Sequence, residues 1–230
     1  MTHHKRKAVI VGASGLIGAA LMDLLLEHQE YSEVLSLVRK ELPIKHAKLT
    51  QLVVDFDRLA DYGDSINGHA LFCCLGTTKK QTPDTDLYYK IDHDYPVLLT
   101  ELAAKNGMTQ CHYISSPGAN PKSSIFYTRT KGMAEVDLRK AGIPALHLYQ
   151  PSLLTGKRKE HRLLEGIAQG VMKVIDPLLR GSWKKYRSIS GHAVASAMLK
   201  KSLSVQKGVF VLPSDEIQEI ADRPYFNISL

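Results

Sequence analysis

The sequence predicts an α/β protein: a doubly wound parallel sheet with a small C-terminal cap region. Three observations carry this. The stretch "VIVGASGLIG" (Val9–Gly18) sets three glycines between an apolar run and an amphipathic one. Short apolar runs then alternate with longer helical ones through the first 150 residues. Finally, "YISSPGA" ends one such run and is followed by "FYTRTKG" at the start of a helical one.

The chain has 230 residues, enough for one domain with a real core. Its apolar and charged fractions, 44% and 23%, are those of an ordinary globular protein. The opening apolar stretch, Ala8 to Leu26, is interrupted by Gly12, Gly15, Gly18 and Asp23. A spanning helix needs about 20 uninterrupted apolar residues, and a signal peptide needs a cleavage site. Neither reading fits, so no membrane partner is expected. Cys73, Cys74 and Cys111 are an odd set without CxxC spacing, which points to free thiols in a reduced, cytoplasmic setting.

Expected strands, in order, are Ala8–Val11, Val34–Val38, Leu49–Val54, Ala70–Cys74, Cys111–Ser115 and Ala145–Tyr149. They are near-continuously apolar, as parallel strands covered on both faces must be. Expected helices are Leu16–His28, Asp86–Asn106 and Tyr127–Ala141. Asn106-Gly107 closes the second, and Gly142 with Pro144 the third. After Pro151 the alternation weakens. A helical run at Leu163–Val174, a helix at His192–Ser202 and a strand at Gly208–Leu212 follow a basic loop. We expect one domain over 1–230, with 151–230 supplying the cap.

The glycine spacing has a physical reading. Gly12 permits a tight turn, Gly15 lets backbone approach a pyrophosphate, and Gly18 lets helix and strand pack closely. The helix start then offers free N–H groups to an anion, and Ser14 adds a hydroxyl. About 20 residues on, NAD-binding versions place an acidic residue on the ribose 2′-hydroxyl. Here "LVRKEL" puts Arg39 and Lys40 at that point, which favours a 2′-phosphate. NADP(H) is therefore the expected cofactor, with Glu41 keeping NAD(H) open. Asp55, ending "LVVD", could accept from an adenine amino group, and Leu75-Gly76 would pass the adenine ribose. Cys73 and Cys74 read as buried strand residues.

Tyr127 and Lys131 stand four apart and share a helix face. A tyrosine of ordinary pKa is ionised in about one molecule in a thousand at pH 7, and a neighbouring ammonium favours the phenolate. Ser115 or Ser116, at the end of a central strand, can hold a substrate oxygen while Tyr127 gives or takes its proton. No His/Cys/Asp/Glu group has metal-ligand spacing, so no metal is expected.

These motifs, in this order, resemble the short-chain dehydrogenase/reductase superfamily in its atypical or extended form. More closely, "VVDFDRL", "FCCLGTT", "DHDY", "ISSPGA", "KSSIFYTRTKGMAE" and "GHAVASAML" are similar to its Tat-interacting-protein branch. The resemblance implies a Rossmann fold, NADP(H) binding and proton transfer by Tyr127. It implies a cofactor set of Ser14, Gly15, Leu16, Ile17, Arg39, Lys40, Leu75, Gly76, Tyr127, Lys131, Leu154 and Arg162, and its usual Ser-to-Tyr spacing favours Ser116 over Ser115. Two positions depart. Asp92 stands where many extended members keep an Asn anchoring a water relay, and Gln150 where the branch commonly has Arg.

The expected activity is therefore NADP(H)-dependent oxidation or reduction of an alcohol or carbonyl compound. An NADPH-binding regulator without turnover is the alternative. A nucleotide-sugar epimerase is third, because such enzymes usually carry a larger C-terminal lobe. The net charge of +7 gathers in "GKRKEHR" and "RGSWKKYR", without any nucleic-acid-binding motif, so nucleic acid is not expected. His192 reads as a helix-start residue, and Trp183 as a cover for the substrate site or a packing residue of the cap. A homodimer or a protein partner is left open.

Overall fold

The computed structural model describes residues 6–156, 176, 179 and 181–224. The strands are β1 (Arg6–Val11), β2 (Tyr31–Val38), β3 (Leu49–Val53), β4 (Ala70–Cys73), β5 (Gln110–Ile114), β6 (Ala145–Gln150), β7 (Leu154–Thr155), β8 (Ile189–Ser190) and β9 (Gly208–Pro213). Seven of them form one sheet in the order β3-β2-β1-β4-β5-β6-β9, and every neighbouring pair is parallel. β7 and β8 form a small parallel pair of their own. The fold is thus the doubly wound Rossmann type. Strand order reverses between β1 and β4, and the crevice at their carboxyl ends is where such sheets bind ligands.

Alternation along each strand divides the core. Ala8 and Ile10 of β1 face helices α1 (Leu16–Glu27), α5 (Gly191–Ser202) and α6 (Ser214–Asp222). Val9 and Val11 face the other layer, with α3 (Tyr95–Lys105) and α4 (Phe126–Leu138). Both faces are covered, which is why the strands read as unbroken apolar runs.

Several boundaries differ from expectation for identifiable reasons. The helix expected over Asp86–Asn106 is present as one continuous run of α2 (Thr85–Tyr89), a wider π-helical turn (Lys90–Asp94) and α3. Pro96 lies at the start of α3 and has no N–H for the Asp92 carbonyl four residues back. The Tyr113 hydroxyl donates to that carbonyl instead, at 2.8 Å. His93 ties the same turn to α4, its ring lying between Asp94 (2.7 Å) and Asp137 (3.0 Å). α4 stops at Leu138, before the expected Ala141.

A 3₁₀ run over Phe56–Ser65 and helix α6 were not expected. Residues 191–222 supply α5, β9 and α6, which extend the main sheet and cover one of its faces. The helical run expected at Leu163–Val174 lies outside the described residues. No helix among the described residues is long and apolar enough to cross a membrane.

Candidate active site

The turn from β1 into α1 is built around its glycines. Gly12 has φ +78°, and a Cβ there would stand 2.5 Å from the Cys74 carbonyl oxygen. A Cβ on Gly18 would stand 2.2 Å from the carbonyl oxygen of Gly12. No side chain larger than hydrogen fits either place. Gly15 is the N-cap of α1 and no side chain caps that helix, so its first-turn N–H groups face the crevice without a side-chain acceptor. Ser14 and Gly15 are exposed beside them, while Ile17 and Gly18 are buried against the sheet. This cradle fits the pyrophosphate of a dinucleotide.

The Gly12 contact also places the Cys74 carbonyl and the Leu75 N–H against the turn. From there the site continues. A Cβ on Gly76 would lie 3.7 Å from Asp92 Oδ1, and Asp92 Oδ1 is 2.8 Å from Lys131 Nζ. Leu16 packs where Gly156 and Gly191 leave room, which brings the α1 start against the segment following β7 (with Leu154) and the start of α5. Arg39 and Lys40 are exposed at the carboxyl end of β2.

Other residues lie elsewhere or do other work. Asp55 is exposed and uses Oδ1 to cap the 3₁₀ run, accepting from Asp57 N at 3.0 Å. His192 is exposed at the start of α5, and Trp183 is 63% exposed beside Tyr186. Cys73 and Cys111 are buried, and burial pushes both thiols up to about 12. They cannot be nucleophiles in that state. Arg162 lies outside the described residues.

The two serines separate cleanly. Ser115 Oγ donates to Glu135 Oε1 at 2.5 Å, and Gln150 Nε2 donates to the same oxygen at 2.8 Å. Ser116 is 2% exposed, and its hydroxyl has no hydrogen-bond partner. A buried hydroxyl without a partner is costly unless a ligand completes it. Just beyond Ser116, Pro117 and Gly118 line a crevice of about 100 Å³ with Gln150, Lys185, Tyr186 and Pro213. A larger hollow, of about 620 Å³, lies under residues 41–46 beside the start of β3, away from this chemistry.

Tyr127, in the first turn of α4, is 40% exposed. Lys131 is buried one turn below it. Its ammonium donates to the Ile114 carbonyl at 2.9 Å and the Tyr113 hydroxyl at 3.0 Å, and forms an ion pair with Asp92 Oδ1 at 2.8 Å. Burial alone would lower the Lys131 pKa. Asp92, Tyr113 and Tyr127 outweigh it and hold the group well above an ordinary lysine. Lys131 is therefore a buried cation whose N–H groups are engaged within the protein.

Sequence reasoning missed Glu135 and the pairing of Asp92 with Lys131. Glu135 continues the i+4 step from Tyr127 and Lys131, a signal that could have found it. Asp92 was singled out by the resemblance as a departure from the usual Asn, but no signal pointed to Lys131 as its partner.

A parallel sheet of this order, with a glycine turn under an open helix start, defines a dinucleotide-binding α/β protein. The comparisons make the assignment specific. The chain belongs to the NAD dependent epimerase/dehydratase family, whose model matches residues 8–135. Protein HTATIP2 of Rattus norvegicus is 30% identical over 207 residues, spanning 88% of this chain and 84% of that protein. Protein FMP52, mitochondrial, of Eremothecium gossypii is 27% identical over 188 residues, 81% of this chain and 82% of that one. These relatives place the chain in the Tat-interacting-protein branch.

In fold it is similar to the Bordetella bronchiseptica enzyme WbmH, solved with NAD+, at a TM-score of 0.71 and 17% identity. That match covers 95% of this chain and 80% of the enzyme. The family's cofactor is of the NAD(P) type. The cytoplasmic expectation is corrected, because fungal relatives are named mitochondrial proteins. Free cysteines indicate a reducing setting, and that is not an address.

Proposed function

We propose that the protein is an NADP(H)-dependent oxidoreductase acting on a small carbonyl compound or alcohol. The observation that carries this is Ser116: a buried hydroxyl without a partner at the end of β5, beside the crevice lined by Pro117 and Gly118. It suits a substrate oxygen as its missing partner. The uncapped start of α1 would hold the pyrophosphate, and Arg39 and Lys40 would take a 2′-phosphate. When bound, the nicotinamide supplies or accepts a hydride. Tyr127 gives or takes the proton at the substrate oxygen while Ser116 orients that oxygen. The single-domain arrangement, with 151–156 and 181–190 on the substrate side, is part of this reading. The names of the fungal relatives support mitochondrial residence.

The test is calorimetric titration of wild type and Arg39→Ala with NADPH and NADH, followed by a carbonyl screen with Tyr127→Phe as control. Tight NADPH binding that Arg39→Ala weakens, with turnover lost in Tyr127→Phe, supports the proposal. Binding without turnover on any substrate would favour the regulator instead. Failure to bind either nucleotide would overturn both.

A further inference from the structure

Among the described residues, three buried polar atoms without a hydrogen-bond partner gather around one crevice: Ser116 Oγ, Arg187 Nε and Asp215 Oδ1. The crevice, of about 100 Å³, takes its walls from four places in the chain. Pro117 and Gly118 follow β5, Gln150 ends β6, Lys185 and Tyr186 close the 3₁₀ turn Gly181–Tyr186, and Pro213 ends β9. Each orphaned atom belongs to a near neighbour of a wall. Ser116 precedes Pro117, Arg187 follows Tyr186, and Asp215 stands two residues past Pro213 in the first turn of α6.

The walls are tied to one another. Ser152 Oγ donates to the Arg187 carbonyl, and Ser152 N donates to Ser214 Oγ at 3.1 Å. The chain past β6, the 3₁₀ turn and the start of α6 therefore meet in one place. A buried polar atom without a partner is costly, and three around one hollow fit a polar ligand that completes them together.

The charges say which kind of ligand. Lys185 and Arg187 bring two cations, and neither pairs with a carboxylate among the described residues. Lys185 Nζ lies 5.3 Å from the centre of the Tyr186 ring, at the crevice wall. Asp215 is an acceptor and suits a hydroxyl of the ligand. At about 30 Å³ for each water-sized group, the crevice holds roughly three to four of them, which suits a short chain.

We propose that the substrate is a short hydroxylated oxo acid, or the hydroxy acid that its reduction gives. Lys185 and Arg187 take the carboxylate, Asp215 the hydroxyl and Ser116 the reacting oxygen. This rests on the oxidoreductase reading and names its substrate class. The carbonyl carbon takes the hydride of NADPH, which leaves as NADP+, and the oxygen takes a proton from Tyr127. The carboxylate passes through unchanged, so Lys185 and Arg187 set specificity without touching the reacting atoms.

The experiment measures NADPH oxidation by the full chain with hydroxypyruvate and 4-hydroxy-2-oxobutyrate, each beside its methyl ester. The acids should be preferred, and Lys185→Met and Arg187→Met should each raise KM for the acids about tenfold. Both variants should leave kcat, and the weaker turnover of the esters, close to wild type. Lys185→Arg should restore the preference for the acids. Equal kcat/KM for acid and ester in wild type would overturn the proposal, as would variants that weaken both alike. Should Arg187→Met fail to fold by circular dichroism, Lys185→Met, on an exposed side chain, carries the test. Calorimetry of the same acids with NADP+-loaded protein separates the two readings. Acids that bind, and bind more weakly to Lys185→Met, without any turnover would keep the anion site and remove the oxidoreductase. Turnover of the esters with no binding of the acids would do the reverse.

Discussion

Ser115 Oγ donates to Glu135 Oε1 across 2.5 Å, while the hydroxyl of Ser116, next in the chain and equally buried, has no partner. One serine is therefore structural and its neighbour is available. Ser115→Ala should cost about 1–3 kcal/mol, because it strips a buried acceptor of one donor, and should leave turnover per folded molecule nearly unchanged. Ser116→Ala should keep stability within about 1 kcal/mol of wild type and lower kcat/KM by roughly 10²-fold. Urea unfolding and steady-state rates on both variants read the split; the reverse pattern would exchange their roles.

The glycine turn allows a sharp contrast. Gly18→Ala sets a methyl 2.2 Å from a carbonyl oxygen, whereas a Cβ at Gly107 meets nothing within 4 Å and only the positive φ opposes it. Gly18→Ala should cost more than about 2 kcal/mol and abolish NADPH binding, since backbone must shift at the cradle itself. Gly107→Ala should cost about 1 kcal/mol and leave binding unchanged. Equal effects on binding would show that Gly18 does not shape the cradle.

Acid stability should depend on His147 and His112, which stack at 4.5 Å between Phe72 and Phe210. Burial holds His147 down at about 3 and His112 well below the ordinary value. Both are neutral in the folded protein. The unfolded chain takes up their protons as pH falls through about 6.5, so their contribution is complete above that pH and lost on acidification towards 3. Each should steepen the fall by about 1.4 kcal/mol per pH unit in that window. His147 Nδ1 has no partner, so His147→Phe should be neutral or stabilising at pH 7 and should flatten the acid limb by one proton. Denaturant curves from pH 7 to 4 measure this; an unchanged slope would mean that His147 charges in the folded state.

Two of the three thiols, those buried in β4 and β5, should be silent. With Cys73 and Cys111 held at about 12 by burial, a disulfide reagent at pH 8 should react with neither until the protein unfolds. Rapid labelling of either would mean that β4 or β5 opens readily.

What could be read in advance was local. The turn from Val11 to Gly18 declared itself because its residue types, order and backbone requirement lie within eight positions. The central strands did so because both faces are covered. Pro96 lies inside what the sequence reads as an unbroken helix, and the carbonyl its missing N–H frees, that of Asp92, finds Tyr113 only through the fold. Asp92 and Lys131 meet across two elements, and nothing in either segment names the other. Glu135 was within reach of the same helical spacing that joined Tyr127 to Lys131. β9 was legible as a strand from its unbroken apolar run Val209–Leu212, but its place in the sheet was not, because the strand–helix alternation weakens after Pro151 and its connection from β6 is long.

The remoteness of β9 also bears on how the chain assembles. Ala145 pairs with Gly208 and Gln150 with Pro213, so this outermost ladder closes only after a long return of the chain. Such a loop loses entropy before any contact repays it, and non-local parallel pairing is slow. The central pairing of β1 with β4 spans a similar stretch (Ala8 with Ala70), so what sets β9 apart is its place at the edge of the sheet. With one ladder partner, β9 should open at lower free energy than the centre. Its amides should exchange with deuterium long before those of β1 and β4, giving a protease an entry near residues 204–208.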